Sequence, residues 1–320
     1  MVKDMRKYRV KLKFKGPVHF GYKEKMDNIS EDIVHSDTIF SGIMCCYSLL
    51  YGKEKADQLA KGFINGIHLF ENSSAFIYVN DDYLLPRPLN LDLLGIIDDY
   101  KKAKKVKFIS ESILNRLSDC REKGKNEGNI HGYIKGKFFL KEPYEGEIVS
   151  EQERPRVVLD RLNFSSNIYY VSSFSFDKNC GLWFYLKVDK SIEKEILASI
   201  RLLGDEGIGG ERTYGFGLFE PDFIEEKEEE KDSKEYLLLS LFYPSEEDDL
   251  ESALISYDLT ERGGYVYSIY NSDIKKNRSR MLVEGSVFTN KLKGKIIDIT
   301  PEGFKEHRVL KYGAAFLKPF

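Results

Sequence analysis

Residues Gly204-Asp-Glu-Gly-Ile-Gly-Gly-Glu-Arg-Thr-Tyr-Gly-Phe-Gly217 form the most informative segment of this 320-residue chain, and we call them the glycine loop. Six of these fourteen residues are glycine. Upstream, apolar residues recur at helical spacing from Ile192 to Leu203, and downstream a strand-like run from Phe216 to Phe219 stops at Pro221. A glycine-rich turn between a helix and a strand lets the backbone adopt positive φ and come close to a ligand.

The chemistry of the glycine loop favours an anionic ligand. Its backbone N–H groups suit phosphate, and the Arg212 guanidinium adds a charged fork. No Gly-Lys-Ser/Thr sequence ends the loop and a strand follows it, so P-loop and Rossmann sites are disfavoured. A sharp connection without a ligand is the alternative, but glycine density beside an arginine and a tyrosine favours ligand contact. The candidate contact residues are Gly207, Gly209, Gly210, Arg212, Tyr214 and Gly215.

A partial copy of the exit from the glycine loop occurs at the C-terminal end of the chain. Tyr214-Gly-Phe-Gly-Leu-Phe-Glu-Pro221 aligns without gaps with Tyr312-Gly-Ala-Ala-Phe-Leu-Lys-Pro319. Each copy closes a segment that opens with a predicted strand, at residues 8–14 and at residues 236–242. The pattern predicts two related αβ domains.

The limits of these domains follow from charge and length. The acidic segment 225–235 carries seven acidic residues and three lysines, and it is the natural linker between domains at 1–224 and 236–320. The first domain is much the longer, with an insertion at 98–141 that is predicted to be helical and basic. Residues 101–141 carry twelve Lys or Arg and four Asp or Glu. Such a segment can bind a polyanion, although a solvated helix face is the commoner explanation.

The order strand–helix–strand–strand–helix–strand in the first domain is typical of a ferredoxin-like unit. We therefore predict an α+β fold of tandem ferredoxin-like (RRM-like) domains, with the helical, basic insertion in the first. A ferredoxin-like sheet keeps one face open, and RNA-binding versions use that face for single strands. Because the segments that mark both domains lie outside 101–125, deletion of these residues is expected to leave both cores folded.

Composition disfavours several classes of protein. Hydrophobic residues make up 42% of the chain, which is typical of globular proteins. No apolar run approaches the roughly eighteen residues of a membrane span, and the charged N-terminus lacks the apolar core of a signal peptide, so no membrane contact and a cytoplasmic location are expected. The four cysteines show no Cys-x-x-Cys spacing, and no metal or other cofactor is predicted.

Two residues near the start of the first predicted helix are candidates for chemistry. His35 could act as a general acid or base, and Asp37 could act as a general base or position a metal in RNA cleavage. Ser36 or Asp37 is also a good N-cap, and such a role is the commoner one. No Gly-x-Ser-x-Gly or His-Glu-x-x-His sequence is present.

A second basic constellation lies in Arg154-Pro-Arg-Val-Val-Leu-Asp-Arg161. Arg154 and Arg156 share one face of a predicted strand because side chains alternate with a period of two, and Arg161 follows Asp160. Four aromatic residues come next in the chain. Arginine forks hold phosphates and aromatic faces stack bases at about 1–3 kcal/mol each, although strand aromatics also form cores. The aromatic residues are Tyr169, Tyr170, Phe174 and Phe176.

These segments together resemble the RAMP superfamily of CRISPR ribonucleoproteins, and within it the Csm subunit-four family of type III-A effector complexes. Four landmarks in family order carry the match and span nearly the whole chain. The glycine loop alone marks only the superfamily, whereas the second and fourth landmarks point to this family. The landmarks are Gly16-Pro-Val-His-Phe-Gly21; His35-Ser-Asp-Thr-Ile-Phe-Ser41; Gly207-Ile-Gly-Gly-Glu-Arg-Thr-Tyr-Gly-Phe-Gly217; and a tail with Glu284-Gly-Ser-Val-Phe288, Thr300-Pro-Glu-Gly-Phe304, His307 and Tyr312-Gly313.

The resemblance implies tandem ferredoxin-like domains without catalysis of their own, which bind the 5′ repeat-derived handle of a CRISPR RNA in antiviral defence. It also implies contacts with the large palm-domain (polymerase/cyclase-like) subunit and with the repeating RAMP backbone subunit. Two alternatives stay open: a metal-independent endoribonuclease that cuts repeat RNA with His35, and a target-cleaving backbone subunit that uses Asp37, which the chain length disfavours. The RNA contacts predicted outside the glycine loop are His35, Ser36, Arg154, Arg156 and Arg161.

Overall fold

The computed structural model of the protein describes residues 4–21, 33–123, 130–159, 166–227, 232–266 and 274–320. Its architecture is α+β, as predicted. The N-terminal elements are β1 (Met5–Phe14), α1 (Ser36–Tyr51), α2 (Lys53–Ile64), β2 (Phe70–Asn72), β3 (Phe76–Val79), β4 (Asp82–Pro86), α3 (Tyr100–Lys105), β5 (Phe108–Ser110), α4 (Glu111–Glu122), β6 (Tyr133–Lys135), β7 (Phe138–Leu140), β8 (Val149–Leu159), β9 (Ser166–Phe176), β10 (Cys180–Asp189), α5 (Glu193–Glu206) and β11 (Phe219–Glu226). The C-terminal elements are β12 (Tyr236–Leu238), α6 (Leu250–Ala253), β13 (Leu254–Ser256), β14 (Leu259–Arg262), β15 (Ser279–Leu282), β16 (Val287–Phe288), β17 (Ile297–Asp298), β18 (Leu310–Lys311) and β19 (Leu317–Pro319).

A nine-stranded sheet organises the N-terminal half, in the order β11-β1-β10-β3-β4-β5-β7-β6, with β2 also paired to β10. On β1 the side chains of Tyr8, Val10 and Leu12 are buried, and they belong to the same apolar core as residues of α1 and α5. The two helices pack against each other. The amphipathic pattern that predicted a helix before the glycine loop is confirmed by α5, which buries Ile196, Ile200 and Leu203.

The strand after the glycine loop differs from the prediction. β11 begins at Phe219 and continues through Pro221 to Glu226, whereas the sequence predicted a strand that stops at Pro221. β11 lies at an edge of the sheet and pairs only with β1 among the described strands, with Pro221 opposite Leu12. An edge strand tolerates proline because the missing N–H can lie on the unpaired side.

The basic insertion is not the helical module that was predicted. Between α3 and α4 the short strand β5 pairs with β4 and, in parallel, with β7, so the insertion extends the main sheet. Ile109, Ile113, Leu114 and Leu117 are at most 1% exposed and join the main core. The sequence concealed this strand because only three residues form it and a lysine-rich stretch precedes it. This placement argues against the expectation that residues 101–125 are dispensable for folding.

The second face of the sheet, expected to be open, is covered. Arg9 projects from β1 onto this face, with its guanidinium 3.9 Å from the ring centre of Tyr83 and 4.8 Å from that of Trp183. Glu111, at the start of α4, accepts a hydrogen bond from Arg9 at 2.9 Å and another from Lys318 of β19 at 2.8 Å. An RRM-like open platform for single-stranded RNA is thus absent from this part of the described chain.

The C-terminal half contains a four-stranded sheet in the order β13-β16-β12-β19 and the small sheets β14-β15 and β17-β18. Leu237, Leu239, Tyr312 and Phe316 belong to the same apolar core as the N-terminal strands and helices. The stacked rings of Tyr185 and Phe316, 5.7 Å apart, join the two halves directly. The halves therefore share the main core, and the C-terminal half has two smaller apolar clusters besides, one around Phe242 and Phe288 and one around Ile299 and Phe304.

Candidate nucleic-acid interface

The glycine loop forms the turn that its composition predicted. Positive φ angles occur at Gly207 (83°), Gly209 (98°), Gly215 (80°) and Gly217 (74°), and a single 3-10 turn spans Arg212–Tyr214. The turn leaves Tyr214 62% exposed at its tip. The loop therefore reverses the chain between α5 and β11 and presents an aromatic ring to solvent.

Glycine is needed in most of this loop because other parts of the protein lie close to it. A Cβ on Gly209 would come within 2.5 Å of the carbonyl oxygen of His19, and the same oxygen accepts a hydrogen bond of 2.9 Å from the N–H of Gly210. A Cβ on Gly207 would lie 2.7 Å from the carbonyl oxygen of Phe216. Side chains here would collide with the chain itself rather than with a bound RNA backbone. A Cβ on Gly215, by contrast, would meet no neighbour within 4 Å, so this glycine lies on the accessible part of the loop.

Strands β8 and β9 form a separate two-stranded hairpin that reaches the glycine loop. Arg156 is opposite Tyr169 in the hairpin, and Arg154 is opposite Val171, so the two arginines share one face as predicted. The guanidinium of Arg156 lies 3.9 Å from the ring centre of Tyr214, and its Nη2 lies 3.4 Å from Glu211 Oε2. The structure thus brings together two constellations that are more than fifty residues apart in sequence. Arg161 lies outside the described residues.

Two cavities border this junction. One, of about 430 Å³, is lined by His19, Tyr169, Val171 and Glu211, between the hairpin and the loop. Its wall is fixed by the ring of His19, whose Nδ1 lies 2.7 Å from the carbonyl oxygen of Ser172 and donates to it. The other, of about 340 Å³, lies between the glycine loop and α1, and its lining includes His35, Thr38, Cys45, Arg212 and Arg262.

His35, Ser36 and Asp37 are buried and contact the C-terminal half. Nδ1 of His35 lies 2.8 Å from Glu284 Oε1, and Oγ of Ser36 accepts a hydrogen bond of 3.0 Å from the N–H of Leu241. The predicted N-cap at Ser36 or Asp37 is wrong, because His35 occupies the cap position and makes no side-chain cap bond. Both residues lie inside the first turn, and their side chains bind groups of the C-terminal half instead of capping the helix.

Asp37 is held by two cations from the C-terminal half. Its Oδ1 lies 3.0 Å from Arg262 Nη2 and its Oδ2 lies 2.9 Å from Lys311 Nζ. Burial acts to raise the pKa of Asp37, but the charges of Arg262 and Lys311 outweigh it and hold the pKa well below its usual range. The pKa of Glu284 is likewise lowered, since the favourable contacts with His35 and Ser74 outweigh its burial.

Sequence reasoning missed these partners because nothing local links them to α1. Arg262 and Lys311 lie more than 200 positions from Asp37. Glu284 could have been suspected, since it belongs to the tail landmark that carries the family resemblance. Within the described ranges, no group of three or more His, Cys, Asp or Glu side chains is arranged to hold a metal, and no helix there is long and apolar enough to span a membrane.

The fold and the glycine loop are those of a known class of protein. The chain belongs to the RAMP superfamily, whose family model matches residues 11–220. The match of the C-terminal part identifies a narrower family, because residues 231–320 match the model of the CRISPR Csm4 C-terminal domain. The resemblance predicted from the four landmarks is thereby confirmed.

Individual relatives agree with this assignment. The chain is 28% identical over 299 residues to the CRISPR system Cms protein Csm4 of Thermococcus onnurineus, covering 89% of this chain and 91% of the relative. It is 28% identical over 370 residues to the protein of the same name from Methanocaldococcus jannaschii, covering 97% and 96%. Among solved structures, a chain of the Csm3-Csm4 subcomplex in the type III-A CRISPR-Cas interference complex matches with a TM-score of 0.64 at 24% identity, covering 98% of this chain and 99% of that one. A chain of the Csm1-Csm4 cassette in complex with pppApA matches with a TM-score of 0.60 at 23% identity, covering 98% and 96%.

Proposed function

We propose that this chain is the non-catalytic RNA-binding subunit of a type III-A CRISPR (Csm) effector complex, and that it holds the 5′ repeat-derived handle of the CRISPR RNA in antiviral defence. The observation that carries the proposal is the junction of hairpin and glycine loop, where the Arg156 guanidinium lies 3.9 Å from the ring centre of Tyr214. An arginine held flat by an aromatic ring keeps its outer N–H donors directed at one place, which suits a phosphate oxygen.

The exposed rings at this junction suit unpaired bases. Tyr169 and Tyr214 are 38% and 62% exposed, which is more than a packing role requires, whereas Tyr170, 49% exposed, lies on the opposite face of β9. Stacking on such rings contributes about 1–3 kcal/mol per base and tolerates any sequence. We place the direct contacts at Arg154, Arg156 and the glycine loop. His35 and Ser36, whose polar atoms bind other parts of the chain, act by positioning α1 beside that loop.

We infer two ferredoxin-like units from the strand orders. The N-terminal unit has the chain order β1-α1-β3-β10-α5-β11, so its four strands are β1, β3, β10 and β11. In the sheet these strands lie in the order β11-β1-β10-β3, which is the 4-1-3-2 arrangement of a ferredoxin-like unit. In the C-terminal sheet, β19-β12-β16-β13 gives the same order, with only the four-residue α6 between its first two strands. We assign the units to 1–224 and 236–320, joined by 225–235, with β11 reaching two residues into that connection.

Assembly with protein subunits is the second part of the proposal. Solved structures similar to this chain include Csm1-Csm4 cassettes and a Csm3-Csm4 subcomplex. We infer that this chain likewise docks the large palm-domain subunit and the repeating RAMP backbone subunit, and that it does so in the cytoplasm.

Replacement of Arg156 and Arg212 by alanine tests the RNA site. We expect the double variant to bind single-stranded repeat RNA about tenfold to a hundredfold more weakly, because two charge-assisted contacts are lost. The slope of log affinity against log salt should become shallower by about 1.4, since each phosphate contact on a single strand contributes about 0.7. Filter binding between about 50 and 300 mM salt measures both. A matched control, Lys101→Ala with Lys102→Ala, removes the same charge from exposed positions of α3 and should change neither; an unaltered slope in the arginine variant would rule out this site.

The absence of catalysis is tested with the pure chain and repeat RNA, with and without EDTA. One observation favours the alternative function of an endoribonuclease that uses His35. Glu284 contacts His35 in the way that a carboxylate orients a general base. That histidine is nevertheless only 9% exposed, and both oxygens of Asp37 are bound to cations. We expect no cut product from the wild-type chain or from His35→Ala. A product that disappears in His35→Ala while RNA stays bound would establish the endoribonuclease instead.

A further inference from the structure

The cavity between the hairpin and the glycine loop, which we call the hairpin cavity, has a carboxylate in its lining. The lining residues are His19, Tyr169, Val171 and Glu211. Its volume of about 430 Å³ lies within the range of about 300–1,000 Å³ that small-ligand sites occupy. Because like charges repel, the carboxylate of Glu211 disfavours a phosphate inside this cavity. The cavity therefore suits a different part of an RNA strand from the part that the neighbouring arginines bind.

The backbone of Glu211 has a conformation that residues with side chains rarely adopt. Its φ is 57°, and among the described residues Asn80 is the only other non-glycine residue with a positive φ. The same loop contains six glycines, which adopt such a conformation without cost. Strain of this kind is found most often where a side chain has a functional task. A glutamate at this position therefore indicates that its carboxylate is needed in the cavity.

The carboxylate of Glu211 keeps most of its capacity to accept hydrogen bonds. Its Oε2 lies 3.4 Å from Nη2 of Arg156, which is longer than the roughly 2.7–2.9 Å of a well-formed charge-assisted hydrogen bond. Its Oε1 accepts no hydrogen bond from the part of the chain that the structure describes. An ionised carboxylate can accept about four hydrogen bonds. Two oxygens are thus available, side by side, to N–H donors of an occupant.

Tyr169 contributes a flat surface to the same cavity. Its ring is 38% exposed, and within the described ranges no other aromatic ring and no cation stacks on it. In the hairpin Tyr169 is opposite Arg156, whose guanidinium packs on Tyr214 instead. A planar group could therefore stack on Tyr169 while its edge meets Glu211, directly beside the arginine that is proposed to bind phosphate.

We propose that the hairpin cavity binds a guanine base of the single-stranded RNA, with the base stacked on Tyr169 and its Watson–Crick edge hydrogen-bonded to Glu211. The inference rests on the proposed function, because it assigns a sequence specificity to the same RNA site. Single-stranded RNA is commonly recognised in this way, through a stacked base and hydrogen bonds to its edge.

The pattern of donors selects guanine among the four bases. Its Watson–Crick edge carries adjacent N–H donors at N1 and N2, which match the two oxygens of one carboxylate. Adenine and cytosine each place a ring-nitrogen acceptor beside the amino group, and uracil has a single N–H between two carbonyl oxygens. Each of these three bases would direct a lone pair at the carboxylate of Glu211, which is unfavourable.

The first of the four landmark segments holds the hairpin cavity in shape. The carbonyl oxygen of His19 accepts a hydrogen bond of 2.9 Å from the N–H of Gly210, and its Nδ1 donates one of 2.7 Å to the carbonyl oxygen of Ser172. Val18 pairs with Phe174 of β9 through two hydrogen bonds of 2.8 Å. This segment therefore ties the glycine loop to the hairpin. A cavity that is fixed before binding loses less conformational entropy when a ligand enters it.

The test compares binding of the full chain to short oligouridines of equal length that carry a single guanine, adenine or inosine. We expect the guanine strand to bind about tenfold more tightly than the adenine strand, because a matched pair of hydrogen bonds discriminates between bases by about that factor or more. Inosine lacks the N2 amino group, so its strand should bind with an affinity between the other two. Filter binding at one fixed salt concentration measures all three affinities.

Glu211→Gln should reverse the base preference. The amide presents one acceptor and one donor, which match the amino group and N1 of adenine, whereas a donor of guanine would face the amide N–H. We expect the ratio of guanine to adenine affinity to fall about tenfold or more, and this ratio is insensitive to a general effect of the lost charge. The matched control is Glu153→Gln, which removes the same charge from an exposed position on the other face of β8 and should leave the ratio unchanged.

The stacking surface is tested separately with two variants of Tyr169. Tyr169→Ala should weaken binding of the guanine strand about tenfold, because the base loses its stacking partner. Tyr169→Phe keeps the ring and should bind within about twofold of wild type. Circular dichroism of both variants should be unchanged, since the side chain is exposed. Equal affinities of the alanine variant and wild type would overturn the inference.

The other outcomes distinguish this inference from the proposed function. If the wild-type chain binds none of the strands, the proposed function is refuted and the inference with it. If the strands bind, the RNA-binding function stands, and the inference is overturned by equal wild-type affinities for guanine and adenine, by an unchanged ratio in Glu211→Gln, or by the same change in Glu153→Gln. Free GMP that displaces the guanine strand at equal concentration would assign the cavity to a free nucleotide and would also overturn it.

Discussion

A chain that lacks residues 101–125 should fail to fold. The deletion removes β5, which lies between β4 and β7 in the main sheet, and α4, which packs beneath it. The side chains of Ile109, Ile113, Leu114 and Leu117 would be lost from the core. At about 1.5–3 kcal/mol for each, these four contribute roughly 6–12 kcal/mol, which is comparable to the whole stability of a typical domain of about 5–15 kcal/mol.

The deletion would also remove the partner of two partly buried cations. Glu111 accepts hydrogen bonds from Arg9, Lys318 and the hydroxyl of Tyr185. Without it, Arg9 would stay beside three aromatic rings with one of its two carboxylate partners missing, the other being Glu226 at 2.6 Å. A buried charge that loses its partner is strongly destabilising.

Circular dichroism and size-exclusion chromatography of the deleted chain measure the effect, and we expect aggregated or unfolded material. The control keeps the backbone and removes only charge, as Lys101→Ala with Lys102→Ala and Lys104→Ala. These lysines are exposed, so the triple variant should melt within about 2 °C of wild type. A soluble, cooperatively folded deletion variant would mean that the sheet closes without β5, as the sequence had suggested.

Sequence patterns of a few residues were enough to predict those features of the protein that depend only on neighbouring residues. The glycine loop, the helix before it and the shared face of Arg154 and Arg156 each depend on spacings of a few residues, and the structure contains all three. The contact between Arg156 and Tyr214 could not be predicted, because the 58 positions that separate them include strands whose pairing is set by the whole sheet. The residues of the candidate site were therefore identified separately, and the fold was needed to join them.

Two errors have a common physical cause. Residues 108–110 pair on both sides with other strands, so three residues suffice for β5, and no periodicity develops over so short a run. Ser36 and Asp37 were interpreted as helix caps because local hydrogen bonding is the commonest use of such residues. Their side chains instead bind groups from the C-terminal half, which a pattern within one helix cannot reveal.

Substitution of Asp37 by alanine should lower the free energy of unfolding by about 3–5 kcal/mol, because Arg262 and Lys311 would then be left without their shared carboxylate. Urea denaturation at neutral pH measures the change. The control is Glu246→Ala, which breaks the ion pair between Glu246 and Lys295. Because the side chain of Glu246 is 83% exposed, this substitution should lower the free energy of unfolding by less than about 1 kcal/mol. A loss below about 1 kcal/mol for Asp37→Ala, together with weakened RNA binding, would show that this carboxylate serves the RNA and not the junction of the halves.

The pH dependence gives the same prediction an independent check. The charges of Arg262 and Lys311 overcome the effect of burial and hold the pKa of Asp37 well below its usual range, whereas an aspartate in the unfolded chain titrates near about 3.9. Because the folded pKa is the lower one, the stabilisation is complete above about pH 5 and is lost as the pH falls below about 4 toward the folded value. The difference in unfolding free energy between wild type and Asp37→Ala should therefore be constant from about pH 7 to about 5 and should shrink below about 4. If the difference instead stayed constant through the acid range, the pKa of Asp37 would be the same in the folded and the unfolded protein, and the two cations would not favour its charged form.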